Sequence, residues 1–293
     1  MMKKIDIHLH VALEDCARIY NHVKFSGCAA MKEHLSQLGI VHAVIMSLEI
    51  QDDAMISNHA AAEIARRFPE TYSWFCNIPT GVKEPYSYLK RMKEQGAKGL
   101  GEWVTHLPLT HPYMEEIMGA CEDLELPILF HISPEPENQY GIIDEPGLFL
   151  LEEALKKFPR LMMIGHSQPF WYEISKNRTE NEKERQGYPE GPVEAGGRLI
   201  DLMDHYPNLH GDLSANSGGN AIMRDPQFGL DFMEKYQDRL FFGTDMANIS
   251  MEFPLGRWLD KKAETGKISK EAYSKICAKN ACKKILKETM RNV

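Results

Sequence analysis

The feature that most restricts the fold of this chain is a regular alternation of short, β-branched apolar segments with longer amphipathic ones. The apolar segments occupy residues 5–9, 40–47, 72–78, 97–103, 127–132, 161–165, 209–213 and 240–243. Each has the length and composition of a buried strand. Helical periodicity fills the gaps. Leu199, Leu202, Met203 and Tyr206 recur at i, i+3, i+4 and i+7; Leu148, Leu151, Leu155 and Phe158 do nearly the same, and Phe228, Phe232 and Tyr236 mark a third stripe. Pro159 and Pro207 each follow a helical stretch as a stop signal. Eight parallel strands joined by right-handed helical crossovers close into an α/β fold, the (β/α)8 TIM barrel. An open doubly wound sheet is the competing layout, but it gives no reason for histidines to gather at strand ends.

A barrel of this kind accommodates 293 residues as one domain, so residues 1–293 are read as a single unit. Two regions depart from the repeat. Residues 169–191 form a polar inserted loop after strand six that opens with Phe170, Trp171 and Tyr172. A loop of this length is either the wall of a site or a solvated excursion. Residues 268–290 read as a C-terminal helical extension packed on the outside of the barrel.

Composition removes several function classes. Apolar residues at 43% and charged residues at 26% suffice for a full core. A formal net charge of −8 gives no overall electrostatic support for a nucleic-acid or anionic-membrane partner, which leaves a small-molecule substrate and a homo-oligomeric partner as open possibilities. The six cysteines include no C-x-x-C pair and read as free thiols of a cytoplasmic protein, not as a disulfide framework or thiolate zinc site. The N-terminus lacks a secretory apolar run, and no stretch approaches the ~18 apolar residues of a membrane span.

Barrel enzymes place their chemistry where strands hand over to the following loops. Strand one ends Asp6-Ile7-His8-Leu9-His10, and side chains at i and i+2 share a strand face. His8 and His10 are therefore expected to point together into the barrel while Ile7 and Leu9 pack outward. Strand four ends in Glu102, strand five in His131, strand six in His166 and strand eight in Asp245. Each is a metal-ligand residue type at the same end of its own strand. A lone H-x-H is weak evidence, but this coordinated set points to a divalent-metal site.

The order H-x-H on strand one, His on strands five and six, and Asp on strand eight resembles the amidohydrolase superfamily. The segments LMMIGHSQPFW and DRLFFGTDM are similar to its branch of amidohydrolase-related, metal-dependent TIM-barrel hydrolases, which also includes decarboxylases related to aminocarboxymuconate semialdehyde decarboxylase. The resemblance implies His8, His10, His131 and Asp245 as metal ligands, with His166 binding a second metal or facing the substrate. In many two-metal members strand four supplies a bridging carboxylate. Glu102, at the strand end, suits that position better than Lys98, deeper on the same strand.

The resemblance thus implies a metal-dependent hydrolase acting on an ester, lactone, amide or related bond, with one or two divalent ions. Zinc is the default, and manganese, iron or cobalt are compatible with the ligand set. Such an ion acts as a Lewis acid and lowers the pKa of a bound water towards ~7. Asp245 is expected to take the water's proton and deliver it to the leaving group, and His166 to polarise the substrate oxygen or hold the second ion. Asp6 is expected to orient a ligand imidazole or to bind backbone. For the substrate, Arg18, Arg178 and Arg224 fall in predicted loops, with Arg224 taken as the contact. Asn216 and Asn220 follow strand seven, and Trp171, Tyr172 and Trp103 offer an apolar wall; Trp171 and Asn216 are expected to face the pocket. The second reading is a metal-dependent decarboxylase using the same ligands; a non-catalytic barrel predicts missing ligands, and none is missing.

Overall fold

The computed structural model describes residues 3–14, 18–20, 23–48, 56–133, 140–176, 185 and 187–288. The strands are β1 (Lys4–Leu9), β2 (Arg18–Tyr20), β3 (Val23–Phe25), β4 (Ile40–Met46), β5 (Tyr72–Phe75), β6 (Leu100–Trp103), β7 (Ile128–His131), β8 (Met163–His166), β9 (Leu209–Asp212) and β10 (Leu240–Phe241). All pair in parallel except β2 and β3, an antiparallel hairpin in the loop after β1. The other eight are the expected strands, in the order β1-β4-β5 and β6-β7-β8-β9-β10.

Main-chain bonds join these two groups at both seams. Cys76 N donates to Gly99 O at 2.9 Å and Gly101 N to Cys76 O at 2.8 Å, linking the end of β5 to β6. Ile7 N donates to Phe242 O at 3.0 Å, Asp245 N to His8 O at 2.7 Å and His10 N to Met246 O at 2.9 Å, linking β1 to the run-out of β10. The fold is the (β/α)8 TIM barrel.

Helices follow the strands: α1 (Cys28–Gln37), α2 (Asn58–Arg67), α3 (Pro85–Glu94), α4 (Pro112–Asp123), α5 (Phe149–Lys157), α6 (Gln168–Tyr172), α7 (Arg198–His205), α8 (Ala215–Met223), α9 (Pro226–Lys235), α10 (Leu255–Glu264) and α11 (Lys270–Ser274). Their starts are chemically marked. Ser57, Asp225 and Ser269 each cap a helix by accepting from a main-chain N–H, and α3, α4, α6 and α9 open on proline near the first turn, where its missing N–H costs nothing.

Alternation along each strand separates two apolar layers. Ala43, Ile45, Trp74, Ile128, Phe130, Met163, Leu209 and Leu240 pack against the surrounding helices. Ile5, Ile7, Val44, Met46, Phe75, Leu129, Ile164 and Phe241 fill the barrel interior. Ile7 was expected outside. The pairing of β1 with β4 shifts register between Asp6 and Leu9, and this irregularity lets Ile7 join the inner layer while Leu9 stays in the outer one.

The C-terminal segment also departs from expectation. After α11 it continues as two π-helical turns, Lys275–Lys279 and Ala281–Leu286. Ala278, Ala281, Cys282, Ile285 and Leu286 join the inner layer, so the segment plugs the end of the barrel opposite the strand C-termini instead of lying along its outside. Asn280 Nδ2 fastens it to Gln237 O and Leu240 O at 2.7 and 2.9 Å.

Under this plug sits His210, stacked on Phe241, with Nδ1 3.2 Å from Asn208 O and Nε2 3.1 Å from Lys284 Nζ. Lys284 donates, so His210 is a neutral imidazole with its proton on Nδ1. Burial, with the Lys284 charge beside it, pushes its pKa from 6.5 to about 3. The unfolded chain therefore binds a proton here between pH 6.5 and 3 that the folded one refuses. Stability is expected to fall with pH across that window, by up to about 1.4 kcal/mol per pH unit from this group. Urea midpoints measured from pH 7 to pH 4.5 should drop less in His210→Gln than in the wild type; parallel curves would contradict the assignment.

Candidate metal centre

Glycines stand directly before three of the polar strand-end residues, Gly101 before Glu102, Gly165 before His166 and Gly211 before Asp212. At Gly165 an added Cβ would lie 2.2 Å from the Phe170 ring, so only glycine lets α6 press against β8 directly beside His166. The shift in β6 between Leu100 and Trp103 turns Glu102 inward.

His8 Nε2 lies 3.2 Å from His10 Nε2 and 3.3 Å from Asp245 Oδ1, and His10 Nε2 lies 3.2 Å from the same oxygen. Glu102 faces this triangle and a second group of nitrogens. Its Oε2 is 3.8 Å from His10 Nε2; its Oε1 is 2.7 Å from His131 Nδ1 and 3.9 Å from His166 Nε2. Asp245 Oδ2 closes the arrangement at 3.7 Å from His166 Nε2.

One participant was not anticipated. Asp212, the last residue of β9, is fully buried, and its Oδ2 accepts from His8 Nδ1 at 2.8 Å, from His166 Nδ1 at 3.0 Å and from the Ser214 hydroxyl. Its Oδ1 accepts from Ser214 N at 3.0 Å. This single carboxylate puts the proton of both imidazoles on Nδ1 and leaves both Nε2 lone pairs for the cluster, the outer-shell arrangement of metal-binding histidines. Its sequence signal is an acid at the end of the seventh barrel strand, the same position that the other cluster residues hold on theirs. Asp6 takes the backbone role: it accepts from His8 N and Thr244 N at 2.9 Å each, and from the Thr244 hydroxyl. Burial raises its pKa to about 7.

Burial opposes charge here, yet the carboxylates are held ionised. Burial raises the Glu102 pKa, but His131, His8 and His166 bring it well below the carboxylate range. His166 and His8 do the same for Asp212, and His8, His10 and His166 for Asp245. Against the cost of its own burial, His8 is driven up to about 10 by Asp245, Asp212 and Glu102. The cluster demands positive charge at its centre.

A divalent cation fits that demand. Nitrogen and oxygen ligands about 2.0–2.2 Å from a shared ion stand about 3 Å apart, as His8, His10 and Asp245 do. His8, Glu102 and His166 form a second, looser group of the same kind, with His131 Nδ1 against Glu102. All six residues expected as ligands are thus brought together.

The expected substrate contacts are not. Trp171 is buried under β9, with Nε1 donating to Asp212 O at 2.9 Å. Arg224 lines a separate pocket with Tyr172, Pro189 and Glu190. Asn216 is exposed on the first turn of α8, while Asn220 binds Pro189 O at 2.9 Å. Trp103 is buried, bonded to Thr105. Lys98 lies half-buried ahead of β6, apart from the cluster. Arg178 and the side chain of Arg18 lie outside the described residues.

The cluster opens instead on a cavity of about 300 Å³, with His10, Glu102, His131, Tyr140 and Asp245 on its floor. Val23 and Phe25 of the hairpin, with Leu48, Ala247 and Met251, form an apolar wall above them. A larger cavity of about 450 Å³ lies behind Thr244, lined by Lys4, Phe242 and Asp260 among others, but it holds none of the clustered ligands.

A TIM barrel with histidines and carboxylates converging at its strand C-termini defines a class of metal-dependent enzymes. The amidohydrolase family model (Amidohydro_2) matches residues 5–283, and the chain belongs to this family of metal-dependent enzymes. Among solved structures it resembles an uncharacterized TIM-barrel protein from Bordetella bronchiseptica, at 18% identity and a TM-score of 0.66 over 98% of this chain and 99% of that one. It also resembles a probable 2-pyrone-4,6-dicarboxylic acid hydrolase from Acinetobacter baumannii (14%, TM-score 0.61, 97% and 99% covered) and 2,6-dihydroxybenzoate decarboxylase from Rhizobium (19%, 0.60, 98% and 99%). No curated protein sequence matches the chain. No helix among the described residues is long and apolar enough to cross a membrane, and the five described cysteines are buried and unbridged.

Proposed function

We propose that the protein is a metal-dependent hydrolase holding two divalent ions, zinc by default, and cleaving an ester, lactone, amide or related C–O or C–N bond of a small molecule. The observation that carries this reading is Glu102. One of its oxygens faces His10 and the other faces His131 and His166, which is where a carboxylate shared by two ions belongs. In this assignment His8, His10 and Asp245 hold one ion, His131 and His166 the other, and Glu102 both. When bound, the ions polarise the scissile carbonyl and acidify water.

The chain's own residues do the rest. Asp245 keeps one oxygen in the His8–His10 triangle and opens the other side of its carboxylate to the cavity, with a side chain 26% exposed. It takes a proton from the attacking water and returns it to the departing oxygen or nitrogen, so that one water is consumed and no net proton is lost. The apolar wall suits an apolar portion of the substrate.

A specific feature also favours a decarboxylase. The His8–His10–Asp245 triangle is tight, at 3.2–3.3 Å, whereas the contacts of His166 with Glu102 and Asp245 run 3.7–3.9 Å. A single ion in the triangle leaves His166 facing the substrate. Elemental analysis after zinc reconstitution separates the readings. Two ions per chain, with ester or lactone cleavage and no carbon dioxide release, is the expected result; one ion with carbon dioxide release would replace the hydrolase by the decarboxylase.

A further inference from the structure

Tyr140 stands on a short return segment after the β7 loop, and that segment is fastened to two strand ends by its own backbone. Gly141 N donates to Val104 O at 3.1 Å, Ile142 N to His131 O at 2.8 Å, and Ser133 N to Ile142 O at 2.8 Å. His106 Nδ1 adds a bond to Gly141 O at 3.0 Å. Gly141 has φ +100°, and an added Cβ would lie 2.6 Å from Ser133 N, so the chain can turn this tightly here only with glycine. None of these bonds involves the phenol. The segment is placed without it, and the hydroxyl is delivered to the cavity floor, where it donates to Glu102 Oε2.

Glu102 Oε2 accepts from Tyr140, and Oε1 stands 2.7 Å from His131 Nδ1, bonded to it in the metal-free chain and joined to it through the shared ion in the two-ion reading. A carboxylate held on one oxygen only can swing about its side-chain torsions; held on both, its plane is fixed. The Tyr140 ring also meets the His131 ring edge-on, with centroids 4.9 Å apart. Tyr140 therefore touches both members of the Glu102–His131 pair.

We infer that Tyr140 is a positioning residue for the metal centre: its hydroxyl sets the orientation in which Glu102 presents one oxygen to His10 and the other to His131 and His166. The inference rests on the two-ion reading above. It predicts that losing the hydroxyl weakens both ions that Glu102 serves, and more strongly the one held otherwise only by His131 and His166 than the one that His8, His10 and Asp245 also hold.

The test is a zinc titration of chelator-stripped protein against a chromophoric chelator, for wild type, Tyr140→Phe and Tyr140→Leu. Tyr140→Phe keeps the ring contact and the pinned backbone and should melt as the wild type does. Its second zinc is expected to bind about 10–100-fold more weakly, with the first within a few-fold of wild type. Tyr140→Leu, which also loses the contact with His131, should be weaker still. Wild-type affinity for both ions in Tyr140→Phe would overturn the inference. A wild type that binds one zinc only would instead overturn the two-ion reading, which the same titration reports separately.

Discussion

Asp212→Ala is expected to lose zinc at concentrations that saturate the wild type and to unfold at a clearly lower urea concentration. Among the described residues Asp212 is the one carboxylate that binds both His8 Nδ1 and His166 Nδ1, with the Ser214 hydroxyl 3.3 and 3.1 Å from the same two nitrogens. Without zinc, His8 carries a proton, and Asp212 is its fully buried partner. Removing it leaves Asp245 and Glu102 as counter-charges to His8 but takes away the buried acceptor of its Nδ1 proton, at a cost of about 1–3 kcal/mol. With zinc, the loss acts on the ligands: only the Ser214 hydroxyl is left to hold the two imidazoles in the Nδ1–H tautomer, and affinity falls by about 10–100-fold. Asp212→Asn keeps the shape and one acceptor oxygen, so it should retain most of the stability while still losing affinity. Wild-type zinc binding and a wild-type urea midpoint in Asp212→Ala would show that the carboxylate orients nothing.

Asp245→Asn should lower kcat by about 10²–10⁴-fold while changing KM little. Asparagine can adopt the left-handed backbone found here, φ +60°, as readily as aspartate, so the substitution introduces no strain. Its amide oxygen still reaches the His8–His10 triangle, and Glu102 and the imidazoles remain. What it cannot do is accept a proton from water and pass it on. Steady-state kinetics with metal content measured on the same preparation distinguish this from simple loss of the ion. A kcat within a few-fold of wild type at full occupancy would remove Asp245 from the proton-transfer step.

The barrel and most of its centre were legible in the sequence for one physical reason. Strand alternation and strand ends are local properties, so His8, His10, Glu102, His131, His166 and Asp245 could be placed by counting along short apolar segments. Asp212 obeys the same rule, whereas the position of Asn216 and Asn220 on α8 turns them to solvent and to Pro189. Ile7 escaped because a register shift breaks the alternation. Trp171 looked like a wall residue, but α6 begins at once after β8 and carries its ring under the β9 end. The apolar wall depends on the β2–β3 hairpin and on residues near 250 that meet it through Asn248 and Ser26. No local pattern announces that contact.

The seam between β1 and the run-out of β10 has a consequence for biosynthesis. Asp6 and Thr244 meet across it although 238 positions separate them in the chain, and His8 and Asp245 lie beside them. Loop-closure entropy makes such a distant pairing slow to form. During synthesis the first strand emerges with its two imidazoles long before the acid that completes the set has been translated. Ion capture should therefore be a late event that reports ring closure, and ions that bind only the closed form will pull the equilibrium towards it. A nascent chain cut short of residue 245 would carry nearly all of the barrel and yet no complete His8–His10–Asp245 site.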